Sequence, residues 1–237
     1  MDGIYKYKIQ RHNDIMDILG THLNLKLLEK NKYYFGGGTL CSMKYGEYRE
    51  SVDIDFLSSD RSGTAELKMQ SDKITDLQLW PGRDPKIDKD GIRLWCQYKG
   101  SCFKLEFIFE SRIQINLPER FNGVLSLNPV TLMACKLLAN SDRSYNDLAA
   151  RKDIVDILTI YKNEPTALRK AWSKAHEAYG SWLTRCTKIS LSEDKFDETL
   201  DAVGIEKSKQ KDYHILLQNF TKEIAPLLKE RGNELEL

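Results

Sequence analysis

Apolar residues along the first half of the chain follow first a helical and then a strand-like spacing. Between residues 14 and 30 they recur every three to four positions, which predicts an amphipathic helix with one buried face. The short apolar and aromatic run at 33–35 predicts a buried strand. The three glycines at 36–38 are expected to form a turn, because glycine favours neither a strand nor a helix. Thr39 is then expected at the N-cap or in the first turn of a helix.

The most regular alternation lies at residues 51–57, where apolar and polar positions follow a strict period of two. Asp53 and Asp55 share one face of this predicted strand, and the apolar residues share the other. Two further alternating segments, 92–98 and 102–109, are joined by Lys-Gly-Ser and predict a β-hairpin. Weaker patterns predict one more strand and one more helix, at 112–117 and 65–79.

After residue 128 the pattern changes to helical spacing with few strand-forming residues. Helices are predicted at 129–138, 147–161, 165–179, 193–203 and 211–231. We therefore expect an α/β core at 1–127 and a helical domain at 128–237. The predicted fold class is α+β: a small mixed β-sheet flanked by helices, followed by a C-terminal helical bundle.

The net charge limits how the protein can recognise a polyanion. Its 237 residues include 36 Lys and Arg and 35 Asp and Glu, for a formal charge of +1. This balance provides no overall attraction to nucleic acid or to an acidic membrane. A nucleic-acid partner would need a local basic patch, which residues of the helical half could form: Lys162, Arg169, Lys170 and Lys174.

Cysteine usage and hydropathy predict a cytoplasmic protein with no membrane partner. The five cysteines are odd in number and scattered without a C-x-x-C pair, so we expect reduced thiols and no zinc site. No apolar stretch approaches the roughly 20 residues that cross a bilayer, and the first ten residues show no signal-peptide pattern.

The acidic face of the 51–57 strand predicts a metal site. Side chains two residues apart on a strand lie about 6–7 Å apart along it, so Asp53 and Asp55 can reach the same cations. Mg²⁺ (or Mn²⁺) is held by one or two carboxylates together with water and phosphate oxygens, and two such ions promote in-line displacement at phosphorus. The alternative is an edge strand whose acidic face meets water.

Two neighbouring features could complete such a site. The glycine turn lies between a strand and a helix, so the backbone N–H groups of Gly37, Gly38 and Thr39 could bind a phosphate; the alternative is an ordinary glycine-rich loop. Glu106 is an acid within an apolar strand and could be a third metal ligand or a general base, or form a surface ion pair with Lys104. Walker, zincin and serine-hydrolase motifs are absent from the sequence.

Taken in order, these motifs resemble those of the AbiEii/AbiGii-type nucleotidyltransferases, the toxin components of bacterial toxin-antitoxin and abortive-infection systems. That family lies within the polymerase-β-like nucleotidyltransferase superfamily. The resemblance is carried by Gly-Gly-Thr at 37–39 and, at a similar spacing, by Arg49-x-Ser51-x-Asp53-Ile54-Asp55. It implies a catalytic metal site formed by Asp53, Asp55 and Glu106. It also implies that the nucleotide is bound by Gly37, Gly38, Thr39, Arg49 and Ser51.

Two helical motifs extend the resemblance to about residues 33–160. Lys136-x-x-Ala139-x-x-x-Arg143 matches a family motif whose lysine is implied to contact nucleotide phosphate. Lys136 and Arg143 are two helical turns apart and share a face; a lysine with a buried stem is the alternative. Lys152-Asp153-x-x-Asp156 follows the family's Arg-Asp-x-x-Asp, in which Asp153 is implied to be catalytic. Lys152 replaces the arginine, for which Arg151 could substitute by a shift of one residue.

The resemblance implies an Mg²⁺-dependent enzyme that transfers NMP from an NTP to a hydroxyl acceptor. An RNA such as tRNA is the implied acceptor, and a cognate antitoxin is the implied protein partner. Two alternatives stay open at this point. The acceptor could be a small molecule, as in antibiotic-modifying relatives, or the protein could be a catalytically silent nucleotidyltransferase-like binding protein.

Overall fold

A computed structural model describes residues 6–144, 152–192 and 196–229 of the chain. These residues form a mixed β-sheet of seven strands together with ten α-helices. The predicted α+β class is therefore confirmed. The chain divides into two compact units, Met1–Asn128 and Pro129–Leu237, and all the strands belong to the first. None of the helices in the described ranges is long and apolar enough to cross a membrane.

The strands of the first unit are β1 (Tyr34–Gly36), β2 (Ile54–Ser58), β3 (Lys86–Asp88), β4 (Gly91–Tyr98), β5 (Ser101–Phe109), β6 (Glu119–Phe121) and β7 (Val124–Ser126). Their order in the sheet is β3-β4-β5-β2-β1-β7-β6. β2 runs parallel to β5 and antiparallel to β1, and β1 runs parallel to β7. β2, which contains Asp55 and directly follows Asp53, therefore lies in the middle of the sheet. The strand predicted at 51–57 begins only at Ile54, so Asp53 lies outside it.

One face of the central strands is fully buried. Ile54 and Phe56 of β2, and Leu105 and Phe107 of β5, are at most 1% exposed. The rings of Phe56 and Phe107 stack with their centroids 5.7 Å apart. Asp55 lies between Ile54 and Phe56 on β2, and Glu106 lies between Leu105 and Phe107 on β5. Both are only partly buried, as the period of two in the sequence predicts. The opposite face of the sheet thus carries the polar side chains.

The helices of the first unit are α1 (Gln10–Asp17), α2 (Leu25–Lys30), α3 (Gly37–Lys44) and α4 (Arg61–Met69). The single helix predicted at 14–30 is wrong. α1 continues as a π-helical turn at Ile18–His22 and then stops, because Leu23 is extended and forms a β-bridge with Thr75. Asn24 then caps α2 by accepting from the backbone N–H of Leu27. α4 begins and ends earlier in the chain than the helix predicted within 65–79.

The hairpin predicted at 92–109 is confirmed, but the strand at 112–117 is wrong. Lys99 and Gly100 join β4 to β5 with positive φ angles of 47° and 75°, as a two-residue hairpin turn requires. The segment at 112–117 forms no strand; a hairpin of β6 and β7 follows it, with Asn122 and Gly123 at the turn (φ 49° and 86°). Asn-Gly is the strongest short-range hairpin signal, so this hairpin was visible in the sequence.

The second unit is helical, as predicted. Its helices in the described ranges are α5 (Pro129–Arg143), α6 (Lys152–Asn163), α7 (Leu168–Tyr179), α8 (Ser181–Ser190), α9 (Phe196–Ala202) and α10 (Lys207–Ile224). α5 packs against α6, α7 and α8. α8 was not predicted; Gly180, with a φ of 53°, separates it from α7.

Candidate active site

Strands β1, β2 and β5 bring the glycines and two of the predicted acids to one place. Gly36 is the Cα partner of Asp55 in the β1–β2 ladder, and Asp55 is the partner of Glu106 in the β2–β5 ladder. Partners on adjacent strands lie about 5 Å apart and point to the same face of the sheet. Asp55 and Glu106 therefore lie side by side, next to the end of β1 where the glycines begin.

Gly37 leaves the space in which the carboxylate of Asp55 lies. A Cβ atom at Gly37 would be 1.9 Å from Oδ2 and 2.8 Å from Cβ of Asp55, and Gly37 has a φ of +71° that disfavours any other residue. α3 begins at Gly37 itself, with Gly36 as its N-cap. The expected separate turn of three glycines is therefore wrong. The acid lies instead at the first turn of a helix, where negative charge is favoured.

Gly38 makes room for Arg49 and Ser51 in the same way. A Cβ atom there would be 2.5 Å from Arg49 Nη2 and 2.9 Å from Ser51 Oγ. The Arg49 residue is 7% exposed, and its Nη1 donates to the backbone carbonyl of Glu50 over 2.9 Å. The hydroxyl of Ser42 donates to the carbonyl of Arg49. The first-unit residues predicted to bind nucleotide are thus gathered around the start of α3, whereas Lys136 and Arg143 lie on α5 of the second unit.

Thr39 connects α3 to the segment that enters β2. It is fully buried, and its Oγ1 donates to the backbone carbonyl of Asp53 over 2.5 Å and lies 3.1 Å from Ser51 Oγ. Thr39 is therefore a first-turn residue, one of the two predicted positions. Asp53 immediately precedes β2 and is partly buried, so this hydrogen bond fixes the backbone of a predicted catalytic residue.

His12 and Glu47 support the same segment and were not predicted to matter. Nδ1 of the fully buried His12 lies 2.8 Å from Glu47 Oε1, and its Nε2 lies 3.1 Å from the carbonyl oxygen of Ser51. Burial raises the pKa of Glu47, but hydrogen bonds from the backbone N–H groups of Lys8 and Ile9 and from His12 outweigh burial and hold this pKa below its ordinary value. No sequence pattern links His12 to Glu47 and Ser51, because 35 and 39 positions separate it from them.

Glu106 is held by two cations. Arg93 Nε lies 3.1 Å from Oε1, and Lys104 Nζ lies 2.6 Å from Oε2. The Glu106 side chain is 15% exposed. Within the described ranges, no group of three or more His, Cys, Asp or Glu side chains is placed to hold a metal ion. Glu106 makes the ion pair with Lys104 that the sequence offers as an alternative, and its role beside Asp53 and Asp55 as a third metal ligand stays a prediction.

The second unit contains a buried cluster of the predicted helical residues. Lys136 Nζ on α5 lies 3.1 Å from Asp153 Oδ1 and 2.6 Å from Asp156 Oδ2 on α6, and Arg143 Nη1 lies 2.9 Å from Asp153 Oδ2. Both aspartate side chains are fully buried; Lys136 is 10% and Arg143 is 42% exposed. Arg143 contacts Oδ2 as an ion pair without an aligned hydrogen bond. Arg151 lies outside the described residues.

The basic patch predicted on the helical half is partly accessible. Lys162, Arg169 and Lys170 are exposed. Lys174 is half-buried, and burial lowers its pKa from the ordinary lysine value.

The sequence matches the family of the nucleotidyl transferase AbiEii toxin, Type IV TA system, over residues 22–230. Among solved structures, the chain is similar to JHP933 from Helicobacter pylori, with 17% identity, a TM-score of 0.46, and coverage of 94% of this chain and 100% of that one. It is also similar to an antigenic nucleotidyltransferase-like protein from Paracoccidioides brasiliensis, with 14% identity, a TM-score of 0.40, and coverage of 77% and 94%. None of the curated proteins compared with the chain matches it.

Proposed function

The chain belongs to the AbiEii nucleotidyltransferase toxin family of type IV toxin-antitoxin systems, and we propose that it transfers a nucleoside monophosphate from an NTP to a hydroxyl group of an RNA such as tRNA. The observation that carries this proposal is the row formed by Gly36, Asp55 and Glu106 across β1, β2 and β5. It places a carboxylate against the first turn of α3, and N–H groups at the start of a helix are ones that bind phosphate.

The residues around the start of α3, next to this row, have distinct roles in the proposed transfer. The N–H groups of Gly37, Gly38 and Thr39 bind phosphate oxygens, and Arg49 and Ser51 lie beside them. The acceptor hydroxyl oxygen forms a bond to the α-phosphorus, the bond from the α-phosphorus to the oxygen that bridges to the β-phosphate breaks, and pyrophosphate leaves. The hydroxyl proton passes to a carboxylate.

Asp53 and Asp55 fit Mg²⁺ or Mn²⁺ by the chemistry of their donors. They are two partly buried carboxylates two residues apart, and Mg²⁺ usually takes only one or two protein carboxylates. When bound, the metal would neutralise charge on the triphosphate and polarise the α-phosphate. Glu106 stays a predicted third ligand or general base; to act as a ligand it would exchange its contacts with Arg93 and Lys104.

Lys136, Arg143 and Asp153 enter the proposal through the family resemblance, as nucleotide-binding and catalytic residues of the second unit. Arg143 is the most accessible of the three. Family membership implies an antitoxin as protein partner. We further propose that the reaction takes place in the cytoplasm, where NTPs and RNA are available and where the five free thiols of this chain would stay reduced.

Incubation with cellular RNA, Mg²⁺ and each NTP labelled at the α-phosphate tests this function. The wild type should label RNA with one or more NTPs, and a chelator should abolish labelling. Asp53→Asn and Asp55→Asn should each lose about 100-fold or more of the rate, by analogy with the loss of other electrostatic catalytic groups. Asp90→Asn is the control, because Asp90 is an exposed acid next to the first residue of β4.

Either of two results would favour a different function over the proposed one. Label found only in a small molecule would favour the antibiotic-modifying type of activity. No transfer from any NTP by a folded protein that still binds its antitoxin would indicate a silent binding protein.

A further inference from the structure

Two tryptophans lie side by side on the sheet face that carries Asp55. The backbone N–H of Trp80 donates to the carbonyl of Trp95 over 2.7 Å, and the adjacent bridge between Leu79 and Cys96 places Trp80 opposite Trp95. Trp95 is in turn the Cα partner of Lys104 on β5. Both indole side chains belong to residues that are only partly buried. We refer to Trp80, Trp95 and Lys104 as the tryptophan row.

The register of the sheet puts this row beside the proposed active site. Asp55 pairs with Glu106, and Glu106 pairs with Arg93; Trp95 is two residues from Arg93 and therefore points to the same face. Trp95 is two strands from β2, so its Cα lies roughly 12 Å from that of Asp55 at a strand spacing of ~4.8 Å and a rise of ~3.3 Å per residue. A chain of a few nucleotides that ends at Asp55 would pass over the row.

The charges around the row favour a polyanion. Four cations lie on or beside this face: Arg83, Lys86, Arg93 and Lys104. Two acids of the same strands, Asp88 and Glu106, form ion pairs with three of them. Strands β3, β4 and β5 therefore carry one positive charge in excess, and this count leaves out Arg83 and the nearby acids Asp53, Asp55 and Asp84. The guanidinium carbon of the exposed Arg83 lies 5.7 Å from the centroid of the Trp95 ring system.

The other two tryptophans of the chain lack this setting. Trp172 is 4% exposed and belongs to the core of the second unit, and Trp182, at 42% exposed, lies on α8. Of the four tryptophans, Trp80 and Trp95 combine partial exposure with a position in or beside the sheet that holds Asp55. A pair of aromatic rings on a sheet face with cations beside it is an arrangement that binds single-stranded nucleic acid, because every base can stack on an indole while phosphates meet the cations.

We propose that the tryptophan row binds the single-stranded end of a polynucleotide acceptor. The bases stack on Trp80 and Trp95, and the backbone phosphates contact Arg83 and Lys104. This inference rests on the proposed function, since it locates the acceptor of the same reaction. It also identifies the acceptor as a polynucleotide with an unpaired end, a class that the acids of the site do not specify.

Anisotropy of a fluorescein-labelled RNA of about 12 nucleotides, long enough to fill one single-strand site, and of the same sequence as DNA tests the row in the full-length protein. Trp95→Ala should weaken binding about 5- to 150-fold, the range for one stacked base at ~1–3 kcal/mol. Trp95→Phe should restore most of this loss because phenylalanine keeps a stacking ring. Trp182→Ala, which removes an exposed tryptophan from α8, should bind RNA as tightly as the wild type does.

Arg83→Glu gives a second test that does not touch the sheet packing, because Arg83 is exposed. It should weaken binding and reduce the slope of log Kd against log salt concentration, while Lys89→Glu, on an exposed turn residue, should change the slope less. Thermal unfolding monitors the fold of each variant.

The outcomes separate this inference from the proposed function. If the wild type binds the oligonucleotide and Trp95→Ala, Trp80→Ala and Arg83→Glu bind it with the same affinity, the inference is overturned, even if RNA is labelled. Failure of the wild type to bind either oligonucleotide also overturns it. Polynucleotide binding that depends on the row, without nucleotide transfer, supports the inference and rejects the proposed function.

Discussion

Replacing Gly37 by alanine perturbs the closest approach in the site. The new Cβ atom would lie 1.9 Å from Oδ2 and 2.8 Å from Cβ of Asp55. Rotation of the carboxylate can relieve the first contact but not the second, so the backbone of β2 or the start of α3 must shift. The φ of +71° at Gly37 adds a conformational cost that any L-residue would bear.

The two costs can be separated by a matched control. The positive φ costs roughly 1–2 kcal/mol, and forcing an extra methyl into a filled space costs typically about 1–3 kcal/mol. Gly82 has a φ of +77°, and nothing lies within 4 Å of the position that its added Cβ atom would take. Gly82→Ala therefore carries only the first cost, and Gly37→Ala should be less stable than Gly82→Ala by about 1–3 kcal/mol.

Thermal and urea unfolding of the purified variants measure this difference. Each kcal/mol corresponds to about 2–4 °C in Tm for a protein of this size. In an Asp55→Gly background, which removes the opposing side chain, Gly37→Ala should cost no more than Gly82→Ala. Equal stability of the two alanine variants in the wild-type background would refute the close approach of Asp55 to α3. The same shift of Asp55 should remove transferase activity from Gly37→Ala but not from Gly82→Ala.

Three further perturbations test other parts of the molecule. Lys136→Ala should destabilise the second unit by roughly 3–5 kcal/mol, because it removes the cation that two buried acids share, whereas Arg143→Ala should raise KM for NTP with a smaller effect on urea unfolding. Thr39→Val should cost about 0.5–1.5 kcal/mol by removing the hydroxyl that donates to the carbonyl of the partly buried Asp53, and Thr39→Ser should restore most of it. The N–H of Gly63, with Lys32 and Ser62, holds the pKa of Asp60 below its ordinary value. A carboxyl group whose pKa is lowered on folding stabilises the folded state at pH values above its ordinary pKa, and this stabilisation is lost as the pH falls. The ~1 kcal/mol by which the wild type should be more stable than Asp60→Ala is therefore expected to be complete above about pH 5 and to shrink below about pH 4.

The sequence predicts the central strands because their pattern is local. The alternation at 51–57 and in the 92–109 hairpin is long enough to show a period of two, and the buried faces of β2 and β5 follow it. β3, β6 and β7 have three residues each, which is too short for a period to appear. Their positions depend on turns and on pairing with neighbours, so composition alone misplaced one of them at 112–117.

The glycines at 36–38 show how tertiary contacts override a local rule. Glycine is a poor helix former, and on that ground a turn was expected. α3 nevertheless begins at Gly37. Glycine is needed at 37 and 38 because side chains there would displace Asp55, Arg49 and Ser51. Departures from local preference of this kind are expected at functional sites.

The ion pairs of Glu106 could be only half predicted. Lys104 was visible as a neighbour on the same face, two residues along the strand. Arg93 becomes a partner only through the β4–β5 register, which places it opposite Glu106. The turn at Lys99 and Gly100 fixes that register, and the loop predicted from the sequence, Lys-Gly-Ser, is one residue longer because β5 already begins at Ser101.

The buried cluster of the second unit limits how Lys136 can meet a ligand. Its ammonium group has two carboxylates within 3.1 Å, and both aspartate side chains are fully buried. Movement of Lys136 to a phosphate would take its ammonium group away from both buried acids and leave Asp153 with Arg143, and breaking a buried ion pair costs several kcal/mol. Arg143 does not face this cost to the same degree, because its side chain is 42% exposed and Asp153 keeps Lys136 as a partner when Arg143 moves. The geometry therefore favours Lys136 as the residue that joins α5 to α6, and Arg143 as the one that can contact a nucleotide while Asp153 stays neutralised.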